Sequence, residues 1–197
     1  YEKNKDNNVT INLKGKGEVK KQTKFDLISL KEKNNIIKIK KLILDKNFKI
    51  INLDSVLIDF FDKNDHLNKL NVSKKSEKNY HIDGPSFNAD NLIKKFFNDD
   101  SDFPKILNKN LRIFINIDKL LVDKQYSLDN LKGDFSIENQ EIINGSLIGL
   151  FSKDKKLKLT IKSKGQEKIT TLFSDEAQAI VNRYKFIKGF KGGKLDF

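Results

Sequence analysis

The sequence contains no cysteine, which excludes disulfide and zinc–thiolate frameworks. It has no stretch approaching the roughly 18 consecutive apolar residues of a membrane-spanning helix, and no leader pattern opens it. Tyr1 rather than methionine begins the chain and the strand-like Leu195-Asp196-Phe197 ends it, so an excised segment of a longer protein is expected. Arginine is nearly absent: of 39 basic residues only Arg112 and Arg183 are arginines. Arginine is the preferred fork for phosphates and base edges, and no basic cluster with interleaved aromatics compensates for its scarcity. The net charge of +12 therefore does not read as a nucleic-acid footprint, and no nucleic-acid partner is expected. Lysine, asparagine and isoleucine are enriched together, as an AT-rich genome produces. Such charge still attracts anionic lipid headgroups, at about 1 kcal/mol per well-placed lysine.

Hydrophobic residues make up 37% and charged residues 34%, an apolar share below that of ordinary globular domains. A compact domain of this length needs more interior. A thin, elongated structure with one apolar face needs less.

What the chain does have is period-two alternation, the pattern of strands with one buried face. Val9, Ile11 and Leu13 alternate with Thr10, Asn12 and Lys14. Leu111, Ile113, Ile115 and Ile117 share a face against Arg112, Asn116 and Asp118, with Phe114 the apolar exception on that second face. Leu131, Phe135 and Ile137 alternate with Lys132, Asp134, Ser136 and Glu138, and Leu157, Leu159 and Ile161 with Lys156, Lys158, Thr160 and Lys162. Shorter strands are expected at 25–30, 36–44, 48–58 and 143–151. Asn-, Asp-, Lys- and Gly-rich joints such as Lys46-Asn47 and Glu138-Asn139-Gln140 separate them. The implied fold is mainly β, an elongated antiparallel meander.

Two segments change period. Ala89, Leu92, Ile93, Phe96 and Phe97 form a helical stripe behind Asn88 as N-cap. Ala177, Ile180, Val181 and Tyr184 form another, behind Ser174 as cap, with Asp175 and Glu176 favouring the positive helix end. These spacings predict short helices over 88–98 and 174–186 that cover the sheet. Gly192-Gly193 then permits a positive φ or close approach before a return to strand.

Chemistry is scarce. His66 and His81 have no second histidine or cysteine at ligand spacing and read as solvated or structural. There is no nucleophile elbow and no P-loop, and Gly15-Lys16-Gly17 lacks the third glycine of a dinucleotide turn. The run "NDDSDF" fails as a calcium loop, since Phe103 stands where glycine is required and Lys109 where a bidentate glutamate belongs. No catalytic residue, metal site or cofactor is expected. The alternating apolar face remains: an ordinary β core, or a continuous groove for acyl chains lined by Val9, Ile11, Leu13, Leu111, Ile113, Ile115, Ile117, Phe135, Ile137, Leu157, Leu159 and Ile161.

 In this lining, Leu159 and Ile113 stand for the inward positions, and Asn116 and Lys158 for the outward ones.

The string "TLFSDEAQAIVNRYKFIKGFKGGKLDF" resembles the closing motif of the AsmA-like, YhdP-type envelope proteins. Ser174, Asp175, Ala177, Ile180, Val181, Gly192, Gly193 and Leu195 occupy its matching positions, while Gln178 stands where glycine is usual. Upstream, "YHIDGPSFNADNLIKKFF" is similar to the family's strand, glycine and small helix, with Gly84, Phe87, Asn88, Leu92 and Ile93 in corresponding places. The likeness covers residues 80–197 by motif and 1–79, a β-meander segment, by pattern alone. It implies one continuous open, twisted groove, U-shaped in section, with two short covering helices. It also implies the periplasmic portion of an inner-membrane-anchored protein in a Gram-negative envelope, passing phospholipid between inner and outer membranes without enzymatic activity. Implied partners are phospholipid, membranes through other parts of the protein, and further envelope proteins. The alternative is a non-enzymatic structural or assembly scaffold of the envelope.

Overall fold

The computed structural model describes residues 8–17, 21–92, 110–139, 141–152, 154–165, 167–184 and 193–196. It is a single open sheet of 13 strands laid down almost entirely in sequence order. The strands are β1 (Thr10–Gly17), β2 (Gln22–Glu32), β3 (Asn35–Asp45), β4 (Ile50–Asn52), β5 (Ser55–Phe61), β6 (Leu67–Lys74) and β7 (Asn79–Asn88). After a connection come β8 (Leu111–Leu121), β9 (Ser127–Glu138), β10 (Glu141–Phe151), β11 (Lys155–Lys164), β12 (Glu167–Ser174) and the short β13 (Leu195–Asp196). One helix, α1 (Ala177–Tyr184), precedes β13. The mainly β architecture expected from the alternation and the open sheet implied by the resemblance are thus the observed ones.

Neighbouring strands pair antiparallel with one exception. β7 and β8 run parallel, with Asn79 opposite Arg112 and Asn88 opposite Leu121. A parallel pair cannot be closed by a tight turn and needs a crossover connection; the segment between Asn88 and Leu111 supplies it. Period-two alternation is blind to strand direction, so a plain meander was the natural expectation.

The sequence predicts one strand over 48–58; the chain instead breaks at Leu53-Asp54 into β4 and β5. There the Asp54 N–H donates to the Lys40 carbonyl at 3.2 Å, and the Asp54 carbonyl accepts from Lys74 at 2.8 Å. The periodicity also passes over β6 and β12. In β6 the inward position Asn68 is polar and buried, which disguises the alternation.

The joints between strands use left-handed backbone at Lys33, Asp65, Asn139, Ser152 and Gly165, the geometry that tight hairpins demand. Two further left-handed residues, Lys41 (φ 48°) and Asn130 (φ 52°), lie inside strands β3 and β9. Asn130 marks a register shift between β9 and β10, and the displaced residue puts Leu131 and Leu128 on the same face. Pro85 lies in β7 where its register with β6 shifts, a place where a missing N–H costs no regular ladder bond. At the same place Gly84 meets the Lys69 backbone so closely that an added Cβ would collide with its carbonyl.

The closing helix is docked rather than free. The Ser174 hydroxyl accepts the Glu176 N–H at 3.1 Å, as a cap should. Asp175 and Glu176 tie the helix entrance to the sheet: Asp175 accepts the Lys156 N–H at 3.1 Å and pairs with Lys194 at 3.1 Å, and Glu176 pairs with Lys155. Ala177, Ile180 and Val181 are buried, as the stripe predicts, and so is Ala179, so the buried arc is wider than that stripe. The side chain of Tyr184 lies outside the described ones. Gly193 has the anticipated positive φ, at 112°, and β13 then pairs with β12 through Ser174–Leu195. Of the helix expected over 88–98, the start is described: the Asn88 side chain caps the Asp90 N–H at 3.1 Å and 90–92 are helical. Ile93, Phe96, Phe97 and the "NDDSDF" run lie outside the described residues, as do Lys109, Gly189 and Gly192.

Candidate functional site

Strand pairing decides which side chains share a face, because residues directly opposite one another point the same way. One line of partners crosses the sheet from β1 to β12: Leu13, Ile28, Ile39, Val56, Val72, Ile82, Ile115, Gly133, Leu147, Leu159 and Leu172. Every member is apolar or glycine. At a strand spacing near 4.8 Å this line is about 50 Å long. A second line, Ile11, Leu30, Ile37, Ile58 and Leu70, runs beside it across β1 to β6. On the other flank Tyr80, Ile113, Phe135, Gly145 and Ile161 continue the face across β7 to β11. Polar members sit at the margins, as with Glu32, Asn68 and Lys74.

The opposite face has another character. Its corresponding line reads Lys14, Leu27, Lys40, Ser55, Ser73, His81, Phe114, Asp134, Ser146, Thr160 and Thr171. Two of its eleven members are apolar. Phe114, the exception noted in the alternation, keeps polar company: the Arg112 guanidinium lies 4.9 Å from its ring centre, and the His81 ring, tilted by 42°, is centred 4.9 Å away. Arg112 also grips Asp134 with two hydrogen bonds, of 3.0 and 2.5 Å. That bond holds the Asp134 carboxyl below its ordinary range against the opposing effect of burial.

All twelve sequence-predicted residues lie in strands or, for Val9, immediately before one. The pairing lines bring Ile11, Leu13, Ile113, Ile115, Phe135, Leu159 and Ile161 onto one face, and Leu111 pairs with Ile137 on it. Ile11 and Leu13 are exposed on the edge strand β1, while Val9, Leu111, Ile113, Ile115, Phe135, Leu159 and Ile161 are half-buried. Ile117, Ile137 and Leu157 are buried. Ile117 and Leu157 belong to a core cluster with Leu70, Leu128, Leu131, Phe151, Ala179 and Ile180. The helix thus seals one margin of the apolar face, and among the described residues no other element covers the rest.

Sequence reasoning missed the stretch of lining in β5 to β7, namely Val56, Val72 and Ile82. β5 lay inside a single longer expected strand, and β6 was hidden by its inward asparagine. It also missed a local shape device. Phe135 lies across two glycines of the same face, so that a Cβ at Gly133 would come within 2.8 Å of Leu147 and 3.2 Å of the Phe135 ring. Removing side chains there lets the ring lie flat and leaves the floor smooth. Paired apolar strands with glycine opposite an aromatic were the available signal.

Among the described residues the face offers no nucleophile, paired acid and base, or ring of donors. No group of three or more potential metal ligands occurs among the described residues. His66 Nδ1 lies 3.3 Å from Asp62, which also accepts an amide hydrogen bond from Asn88 at 2.7 Å, a link between the β5–β6 turn and the end of β7. Among the described residues no helix is long and apolar enough to cross a membrane. What the arrangement can do is shelter linear apolar groups along its length, at about 25 cal/mol per Å² of area removed from water.

The chain matches no protein-family profile, no curated protein and no solved structure.

Proposed function

We propose that this chain is a segment of a lipid-transfer path, in which phospholipid acyl chains lie along the apolar face while their headgroups stay in water. The observation that carries this reading is the apolar line that crosses from β1 to β12 without a polar interruption. A closed core has no use for an apolar strip much longer than it is deep; a conduit does. The likeness of the closing motif to AsmA-like, YhdP-type proteins agrees with it and extends the proposal. The segment would then stand in the periplasm of a Gram-negative envelope, carried by an inner-membrane anchor elsewhere in the protein and acting without catalysis.

The test is direct. A photo-crosslinker at Ile113, Ile115 or Leu159 is expected to capture phospholipid in cells, and one at the opposite-face positions Asn116 or Lys158 is not. Native mass spectrometry of the purified chain is expected to show co-purifying phospholipid. Equal labelling of the two faces, or a lipid-free protein, would favour the envelope scaffold instead.

A further inference from the structure

Phe48 is the most exposed large hydrophobic residue among those described, at 75%. Its backbone is left-handed, with φ 61°, a genuine outlier for a bulky side chain. The turn that holds it is well built. Asp45 Oδ1 accepts the N–H groups of Asn47 and Lys49 at 2.8 and 2.9 Å. The Phe48 N–H donates to the Asp45 carbonyl at 3.0 Å, and the Asp45 N–H to the Lys49 carbonyl at 2.9 Å. Asn47, which would take left-handed backbone at little cost, stands next door, yet the strained position falls to the aromatic.

Among the described residues, lysine predominates at this corner. The turn carries Lys46 and Lys49, and Asp45 beside them is engaged by the turn's own amides. Gln22 pairs with Asp45, which brings the end of β2 alongside. There Lys24 sits directly opposite Lys16 of β1, a like-charge pairing that destabilises a sheet. No carboxylate bridges Lys16, Lys24, Lys46 or Lys49 among the described residues. Leu13, the 64% exposed end of the long apolar line, lies on the same strand as Lys16.

An exposed aromatic with lysines in its own turn and on the adjoining strand ends is the chemistry of the bilayer interface, where the ring enters the acyl boundary and lysines meet phosphates. We propose that this corner, the β3–β4 turn with the adjoining ends of β1 and β2, docks onto an anionic phospholipid bilayer through Phe48, Lys16, Lys24, Lys46 and Lys49. The contact is independent of what the groove carries.

The sequence has no tryptophan, so Phe48→Trp places a sole tryptophan reporter at the tip of the full chain. With phosphatidylcholine vesicles containing phosphatidylglycerol, its emission is expected to shift to the blue and to be shielded from acrylamide. Pure phosphatidylcholine should give neither effect, and added salt should reverse both. Phe61→Trp, at a site 55% exposed at the far end of the strands, should stay unshifted. Joint Lys16→Glu and Lys24→Glu substitution is expected to abolish binding. Phe48→Asn should weaken vesicle binding roughly tenfold yet raise the urea midpoint, because asparagine tolerates this backbone. Those opposite signs separate a docking role from a structural one. No response to anionic vesicles, equal response to neutral ones, an equal shift at position 61, or undiminished binding by Phe48→Asn would each overturn the proposal. Groove lipid is read separately, from the purified chain without vesicles.

Discussion

Gly84 and Gly145 show how much of this sheet depends on single missing side chains. A Cβ at Gly84 would strike backbone, the Lys69 carbonyl, whereas one at Gly145 would strike the Phe135 ring. Backbone in a paired strand cannot step aside, so Gly84→Ala should lower stability by about 2–3 kcal/mol, measured by urea unfolding. A ring can turn, so Gly145→Ala should cost less and be rescued by Phe135→Leu in a double-mutant cycle; simple additivity would show that the ring does not lie on the glycine. Asp175 sets the acid response of the closing motif. Its hydrogen bond from the Lys156 N–H, then that from Lys194, hold its carboxyl below the ordinary aspartate value of 3.8. A carboxyl with a lowered folded pKa stabilises the native state above its unfolded value and loses that contribution as pH falls through the folded one. Asp175→Asn should therefore lower the urea midpoint at neutral pH, and the gap to the native chain should close below pH 3.8; a gap that persists in acid would mean the charge is not what matters. At this scale the sequence was legible where chemistry is local. Ser174 and Asn88 as caps, and Gly193 as the positive-φ corner, follow from side-chain type. The left-handed Lys41 and Phe48 do not, since neither residue prefers that backbone and only the surrounding pairing imposes it.

At the scale of elements, the strands with strict alternation were plain in the sequence, because Leu111 to Ile117 and Leu157 to Ile161 each put every apolar side chain on one face. The direction of β8 relative to β7 was not, and neither was β6, whose inward Asn68 donates and accepts hydrogen bonds at the β5–β6 turn and the end of β7 instead of packing. The candidate site was legible as a set of residues but not as a surface: pairing, rather than periodicity, joins the strips into lines and reveals that α1 seals one margin. That helix gives the sharpest element-level expectation. Ile180 is 5% exposed within the core cluster, so Ile180→Asp puts an unpaired charge in an apolar contact. Truncating such a residue alone costs about 2–5 kcal/mol. Hydrogen exchange should speed up in β11, β12 and α1 while β1 to β5 keep their protection, as in arrays where each unit leans on its neighbours. Uniform loss along the chain would indicate one cooperative core and remove the basis for an open groove.

For the molecule as a whole, strand order follows sequence order, so each strand leans mainly on the strands next to it in the chain and cooperativity should be limited. Calorimetric unfolding should give an enthalpy larger than the van't Hoff value, the mark of units melting separately; agreement of the two would contradict that expectation. The same topology has an evolutionary side. A barrel fixes its strand number by closing, because an inserted hairpin must change radius, tilt and register together. This sheet does not close: β1 and the β12–β13 end are not partners. A duplicated hairpin placed between any two strands would lengthen it by about 10 Å, two strand spacings, and leave its cross-section untouched. The length of such a sheet is a matter of how many hairpins the gene encodes, and duplication alone can extend it.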